Sequence, residues 1–433
     1  MLALFDDYGE ATRELMHSLD AAGVPFTPVI VNYAGELPDG ALCPFVSYAG
    51  IGRDGEPLFF NQVPVPQWCE IRQGRQPFAE ILRDGVPLGR INYEPNSFRQ
   101  VESVDWLLPD RTLSHTDRYD RYGNRYATTY YSGGTAYQTV YSGRGEWTIE
   151  VSHVAKLVVM RSARRLLAFP SLAAFVAHFL DEQGLAEEHV IINSLSHPLF
   201  VMRARAARPN TTLFWQEPMP GDPPENMATE LDQPKALERI VFCDERLRQK
   251  VAARHPHTAL DLAYLSHLGQ FADKPDYDAR RAFTLTNSDE LPELAGLLEA
   301  FPDVTFSVAA LTLMSEKLHA LARAHPNLVL FPSANQSRIR EELERASVYL
   351  DINGGAQVLD VVKAAYHLGL VVLASARFAK APDYERIAAS PDALAADLAA
   401  VVASPAGRAQ ALDELRRRRG PLSAPEDYRR LFR

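Results

Sequence analysis

Apolar residues open this chain as a short run, Leu2–Phe5, then take helical spacing, with Ala11, Leu15, Leu19 and Ala22 on one stripe that Gly23 ends. A second apolar run follows at residues 29–31. From Cys43 to Phe169 the period changes to two. Tyr126, Thr128 and Tyr130 alternate, Gly133-Gly134 makes a tight turn, and Tyr137, Thr139 and Tyr141 alternate again. Gly143-Arg144-Gly145 then turns the chain toward Trp147, Ile149 and Val151. With a turn signal at 120–124 and further strands expected at 89–93, Val101–Leu107 and 157–160, this stretch reads as an antiparallel meander. From Ser171, a plausible N-cap, a helix is expected over 172–183. Apolar strand patterns follow at 190–192, 212–214, 240–242, 283–286, 304–308, 328–331, 348–352 and 370–373, separated by helical segments. That alternation predicts parallel sheets.

The expected fold class is therefore α/β, with two Rossmann-like domains and an antiparallel β-meander inserted in the first. The expected bounds are 1–42 with 170–235 for the first domain, 43–169 for the meander, and 236–433 for the second domain with a helical tail. A second boundary, near 265–278, stays open, and the end of the tail is a candidate to pack back on the first domain.

The chain has 433 residues, 46% of them apolar and 23% charged, enough for two or three domains with ample core. A net charge of -10 argues against a general nucleic-acid binder, which needs basic surface to displace counterions. The three cysteines, Cys43, Cys69 and Cys243, are widely spaced, so neither a disulfide framework nor a zinc site is expected. The first residues carry acids where a signal peptide carries bases, and no apolar run has spanning length. A cytoplasmic protein is expected, with peripheral membrane association left open.

Chemistry concentrates in a few segments. Residues 347–352 read as a strand, Asn353-Gly354-Gly355 as a loop able to hug a ligand, and 357–368 as a helix. Trp215, Gln216 and Glu217 end a strand, where ligands of open α/β sheets bind. Phe59 to Ile71 holds two prolines two apart between aromatics, which suits an edge strand on the meander or a docking edge. Ser194 to Pro198 sets hydroxyls beside His197, but without a GxSxG elbow helix capping by Ser194 or Ser196 is the reading taken. The arginine run 416–419 reads as a solvated helical face. No metal or cofactor motif appears.

The strand, glycine loop, helix and strand over 347–374 resemble the donor half of a two-domain (GT-B) glycosyltransferase. In retaining members two glutamates hold the donor; anchored on Gly369, their positions fall on Ala356 and Ala364. The cations that neutralise the donor diphosphate would lie near 284–290, which reads Thr-Leu-Thr-Asn-Ser-Asp-Glu and holds acids instead. The segments FDDYGEATRELMHSLDAAG, FFNQVPVPQW, HTDRYDRYGNRYATTYY, LFWQEPMPGDPPENM and YLDINGGAQVLDVVKAA together resemble the glycosyltransferase-stabilising GtfB family of the accessory Sec system. That resemblance implies a non-catalytic subunit, without cofactor, beside a catalytic glycosyltransferase sister subunit that transfers GlcNAc from UDP-GlcNAc to serine-rich repeat polypeptide acceptors. The expected acceptor or ligand cleft, between the α/β domains, takes in Trp215, Gln216, Glu217, Asn353, Gly354 and Gly355; the expected partner face carries Tyr126, Tyr130, Tyr137, Tyr141 and Trp147. The competing expectations are an active glycosyltransferase using Glu217 or Asp351 with a metal, and a structural or adhesion-assembly protein with no acceptor role.

Overall fold

Leu2–Phe5 is paired on both sides in a parallel sheet and is buried along its whole length. Strands covered on both faces read as continuous apolar runs, which is why LALF, HVII and RIVF show no alternation. The computed structural model describes residues 1–432 apart from 74–77, 96, 98, 186–188, 206–209 and 269–277. It divides into two units. The first comprises Met1–Cys243, Leu247–Tyr264 and the chain end from Tyr428; the second comprises Asp244–Arg246 and Leu265–Asp427.

The first unit's parallel sheet runs in the order Asp261–Tyr264, Arg239–Phe242, Asn210–Trp215, His189–Ile192, Leu2–Phe5, Thr27–Ile30. The sheet thus continues past the expected boundary at 235: Arg239 pairs with Thr212 and Asp261 with Arg239. A crossover strand carries the same apolar signature in either sheet, so the run at 240–242 could not show which sheet it joins. The turn before it is held by Glu230, fully buried, whose carboxylate accepts from the backbone N–H of Lys235, Ala236 and Leu237 and from Arg203. Burial would raise its pKa, but those four donors hold it below the usual range. The helix Leu172–Glu182 is capped by Ser171, whose Oγ accepts from Ala174 N at 3.1 Å. At the chain end, Tyr428 is buried against Phe214 and Arg429 donates to the Ala22 carbonyl at 2.8 Å.

Between Thr27–Ile30 and Leu172–Glu182 the first unit carries a ten-stranded antiparallel meander, each strand paired with its sequence neighbour from Cys69–Gln73 to Leu166–Phe169. Of the segment 59–71 expected at its edge, Cys69–Ile71 begins the edge strand Cys69–Gln73, while the proline-rich part before it covers the face. Phe60–Gln62 is a single 3₁₀ turn, and Val63 packs with Ala79, Ile81, Ile91, Val101 and Val104. Prolines that cannot donate to a ladder leave this segment free to cross the strands. The turn at 143–145 docks on the end of the helix Pro44–Ala49: Gly145 N donates to Ala49 O, and a Cβ on Gly50, at φ 59°, would lie 2.4 Å from Gly145 N. Glycines are required on both sides of that approach.

The second unit is a parallel sheet in the order Leu328–Phe331, Thr305–Ala310, Asp278–Thr286, Ala346–Asp351, Val371–Ser375, Arg386–Ala388. Its core centres on Phe283, Val348, Tyr349, Val372 and Leu373. Chain order reverses between Asp278–Thr286 and Ala346–Asp351, so a ligand crevice of the doubly wound type would open there.

Candidate functional site

At that reversal point the loop after Asp351 turns inward. Asn353 is 2% exposed and spends both ends of its amide locally: Nδ2 donates to Leu285 O at 3.3 Å, and Oδ1 accepts from Gly355 N at 3.0 Å. Gly354 N donates to Glu290 O at 2.9 Å. A Cβ on Gly354 would lie 2.7 Å from Glu290 Oε2, and one on Gly355 would lie 1.9 Å from Asn287 Oδ1. The two glycines therefore admit the loop at 287–290, in the place where a ligand-hugging cradle was expected. The helix expected from 357 begins only at Val361, because Leu359 and Asp360 adopt left-handed conformations at φ 53° and 49°. Two consecutive non-glycine residues of that kind cannot continue a right-handed turn. Its amino end is thus separated from the glycine loop, and Ala356 falls in the loop while Ala364 falls on the helix. Gly355→Ala is expected to destabilise the second unit by roughly 1–3 kcal/mol through overpacking, read by urea denaturation.

The sequence reading missed Lys380. It lies below this loop, its Nζ donating to Asp351 Oδ1 at 2.5 Å and to the carbonyls of Asn353 and Phe378 at 3.0 Å. Asp351 is fully buried, and its Oδ2 accepts from Lys380 N. Glu385 is buried beside it, and burial followed by its hydrogen bond to Asp351 pushes its pKa up to about 8. Burial and the neighbouring Asp351 carboxylate both disfavour its charged form. The cation at the strand end is thus committed to Asp351 and two backbone carbonyls. A buried aspartate at the end of an apolar strand was the signal that such a partner had to exist. Because the folded pKa of Glu385 lies above its ordinary 4.5, its contribution is fully present below about 4.5 and is lost as pH rises toward about 8. Glu385→Gln, neutral at every pH, is expected to flatten the decline in stability between those limits, measured by thermal melts across that range.

The remaining expected residues belong to the first unit. Trp215 is buried at a strand end, Gln216 Nε2 donates to Ala11 O at 2.8 Å, and Glu217 is exposed. Tyr126 and Tyr141 face inward rather than toward a partner. Tyr126 is 4% exposed and edge-on to Tyr33 at 4.8 Å, and the Tyr141 ring stacks on Phe45 at 4.1 Å. Burial pushes the Tyr126 hydroxyl up to about 12. Strict alternation fails here because Arg118 pairs with Ala127 while Tyr119 pairs with Arg125, leaving Tyr126 as the extra residue of a bulge. A second bulge leaves Tyr137 extra and brings its ring 6.3 Å from Tyr130. Tyr130 continues a row to His115 at 5.8 Å and on to Trp106 at 6.1 Å. Tyr137 is 40% exposed, and Trp147 is half-buried. Among the described residues, no group of His, Cys, Asp and Glu is arranged to hold a metal ion.

Two parallel doubly wound sheets with a long antiparallel insertion define a GT-B-like glycosyltransferase fold. The GtfB middle domain model matches residues 69–170, the GtfB third domain model 173–253, and the GftB/GlyA-F C-terminal domain model 282–414. The chain is 33% identical to the UDP-N-acetylglucosamine–peptide N-acetylglucosaminyltransferase stabilizing protein GtfB of Streptococcus gordonii, over 86% of this chain and 84% of that protein. It is 28% identical to the protein of that name from Streptococcus parasanguinis, over 86% of each. It superposes on a chain of the crystal structure of the GtfA/B complex bound to UDP and GlcNAc with a TM-score of 0.88 and 30% identity, covering 100% of this chain and 99% of that one. The chain belongs to the GtfB family of glycosyltransferase-stabilising proteins. The pneumococcal O-GlcNAc transferase GtfA, at 12% identity and a TM-score of 0.58 over 100% of this chain and 98% of its own, shares the fold.

Proposed function

We propose that this chain is the non-catalytic, stabilising and acceptor-binding subunit of a protein O-GlcNAc transferase complex, working beside a catalytic glycosyltransferase on Ser/Thr-rich polypeptides. The observation that carries the reading is the close packing of two loops at the strand reversal. Gly354 and Gly355 pack against the loop at 287–290, and Lys380 is bound to Asp351. A nucleotide-sugar diphosphate would meet Asp289 and Glu290 there, and like charge repels it. The surface offered to the catalytic subunit is the outer aromatic row of the meander, Tyr130 and Tyr137, with Trp147. Aromatic anchors of this kind carry much of the energy of protein interfaces. The acceptor reading keeps Trp215, Gln216 and Glu217 in the first unit and the exposed Gly354 in the second as positions for contact, with the buried Asn353 and Gly355 as support. No described helix is long and apolar enough to cross a membrane, and the reading is of a cytoplasmic subunit.

The test is GlcNAc transfer from UDP-GlcNAc to a serine-rich peptide, assayed with each chain alone and with both after co-expression. Transfer that rises when this chain joins its partner, with none from this chain alone, is the expected result. Turnover by this chain alone would overturn the reading.

A further inference from the structure

At the carboxyl ends of the first unit's strands, polar side chains from four neighbouring strands converge where the chain order reverses. Asp6 follows Leu2–Phe5, Asn32 follows Thr27–Ile30, Asn193 and Ser194 follow His189–Ile192, and Gln216 follows Asn210–Trp215. Strand ends diverge at such a point and leave a crevice. Asp6 Oδ1 accepts from Asn32 Nδ2 at 2.8 Å and lies 3.0 Å from His197 Nδ1; its Oδ2 accepts from Ser194 Oγ at 3.3 Å. Neither serine caps the following helix as expected. Ser194 Oγ accepts from Ser196 N at 3.1 Å, and Ser196, at the N-cap position, makes no side-chain cap bond. On the other flank Asn193 Nδ2 donates to Thr12 Oγ1 at 2.9 Å.

Two groups are left over. Asn193 Oδ1 and Trp215 Nε1 are buried with no hydrogen-bond partner among the described residues. Buried polar groups are nearly always paired, so one acceptor and one donor orphaned on adjacent strand ends need a reason. His197 adds an oriented ring: in the neutral tautomer whose Nδ1–H donates to the Asp6 carboxylate, Nε2 is an acceptor. The His197 side chain is 40% exposed and that of Asp6 24%, so a ligand can reach both. The network combines a carboxylate, amides, hydroxyls and an imidazole, and no lysine or arginine takes part in its hydrogen bonds. That composition repels anions and suits a neutral hydroxyl, which donates and accepts at once.

We propose that Asp6, His197, Asn193 and Ser194 form a binding site for hydroxyl groups of the Ser/Thr-rich acceptor, either bare side-chain hydroxyls or those of GlcNAc already attached. The inference rests on the reading that this chain holds the acceptor. It is tested by fluorescence anisotropy with a labelled Ser/Thr-rich peptide, the same peptide carrying GlcNAc, and a control with alanine at every Ser and Thr. Each is titrated with the full chain alone and with the full chain co-purified with its catalytic partner. His197→Ala and Ser194→Ala are each expected to weaken binding of a hydroxyl-bearing peptide about tenfold, the effect of losing one hydrogen bond to an oriented polar group. His197→Gln, which keeps a polar end, is expected to recover part of the loss. A loss confined to the glycosylated peptide assigns the site to sugar hydroxyls; a loss with the bare peptide assigns it to side-chain hydroxyls. Affinities within about twofold of the unaltered chain in both arms, or an equal loss for the alanine control, would overturn the site. Co-purification with the catalytic partner is scored separately. Its failure for the unaltered chain would sink the subunit reading, while the peptide affinities of the chain alone would still decide the site.

Discussion

Lys380→Met is expected to destabilise the second unit by about 3–5 kcal/mol, because it leaves Asp351 charged and buried with no cation. Methionine has nearly the length of lysine, so packing is largely kept and the loss isolates the charge. Three acceptors lose their donor at once: Asp351 Oδ1 and the carbonyls of Asn353 and Phe378. Adding Asp351→Asn removes the stranded charge and should recover part of the loss, an interaction a double-mutant cycle measures directly. The readout can be assigned to its unit. The tryptophans, Trp68, Trp106, Trp147 and Trp215, all lie in the first unit, so the loss should appear in far-UV circular dichroism with no matching shift in tryptophan fluorescence. The same variant bears on function. If Lys380 were a diphosphate ligand, losing it would abolish UDP binding; bound to Asp351 beneath a closed loop, it has no such binding to lose. UDP titrations of parent and variant are therefore expected to be alike and flat.

The parallel sheets were legible in the sequence because buried strands announce themselves as unbroken apolar runs between helices. Leu2–Phe5, Val101–Leu107 and Leu328–Phe331 have the bounds the pattern predicts, and other strands differ by a residue or more at their ends. What escaped the pattern has a local cause in each case. Leu113–Tyr119 mixes charged and apolar residues, and its burial does not alternate, so the period of two is blurred there. The face of Tyr126 was misjudged because a bulge inserts one residue, and one residue is enough to turn a side chain to the other side. The late start of the helix at Val361 depends on left-handed conformations at Leu359 and Asp360, residue types that carry no glycine-like warning. The absent donor carboxylates and the acids at 289–290 were visible as composition. The closure of the glycine loop and the commitment of Lys380 to Asp351 were not, since both depend on contacts between segments distant in sequence.

The bulges of the meander give two tyrosines that sequence spacing had grouped together different surroundings, and paired substitutions test what each does. Tyr126→Ala is expected to destabilise the first unit by about 3 kcal/mol or more: the ring is buried, packs edge-on against Tyr33, and leaves a cavity when removed. Its effect on association with the catalytic subunit should then follow the fraction of chain that is folded. Tyr137→Ala removes a ring that is 40% exposed and touches chiefly Tyr130, so stability should change by roughly 0.5 kcal/mol or less. Association should nevertheless weaken by about tenfold if the outer row anchors the partner. Denaturation midpoints and partner titrations on the same preparations give both numbers. A Tyr137→Ala chain that binds its partner undiminished would move the interface off this row, toward other exposed apolar positions of the meander such as Trp68 and Leu166. The division has a physical basis. An aromatic residue that closes a core contributes through the area it removes from water at all times, whereas one on an outer row contributes only when a partner removes it. The two bulged tyrosines sit eleven residues apart on adjacent strands, and the direction each bulge turns its ring decides which kind it becomes.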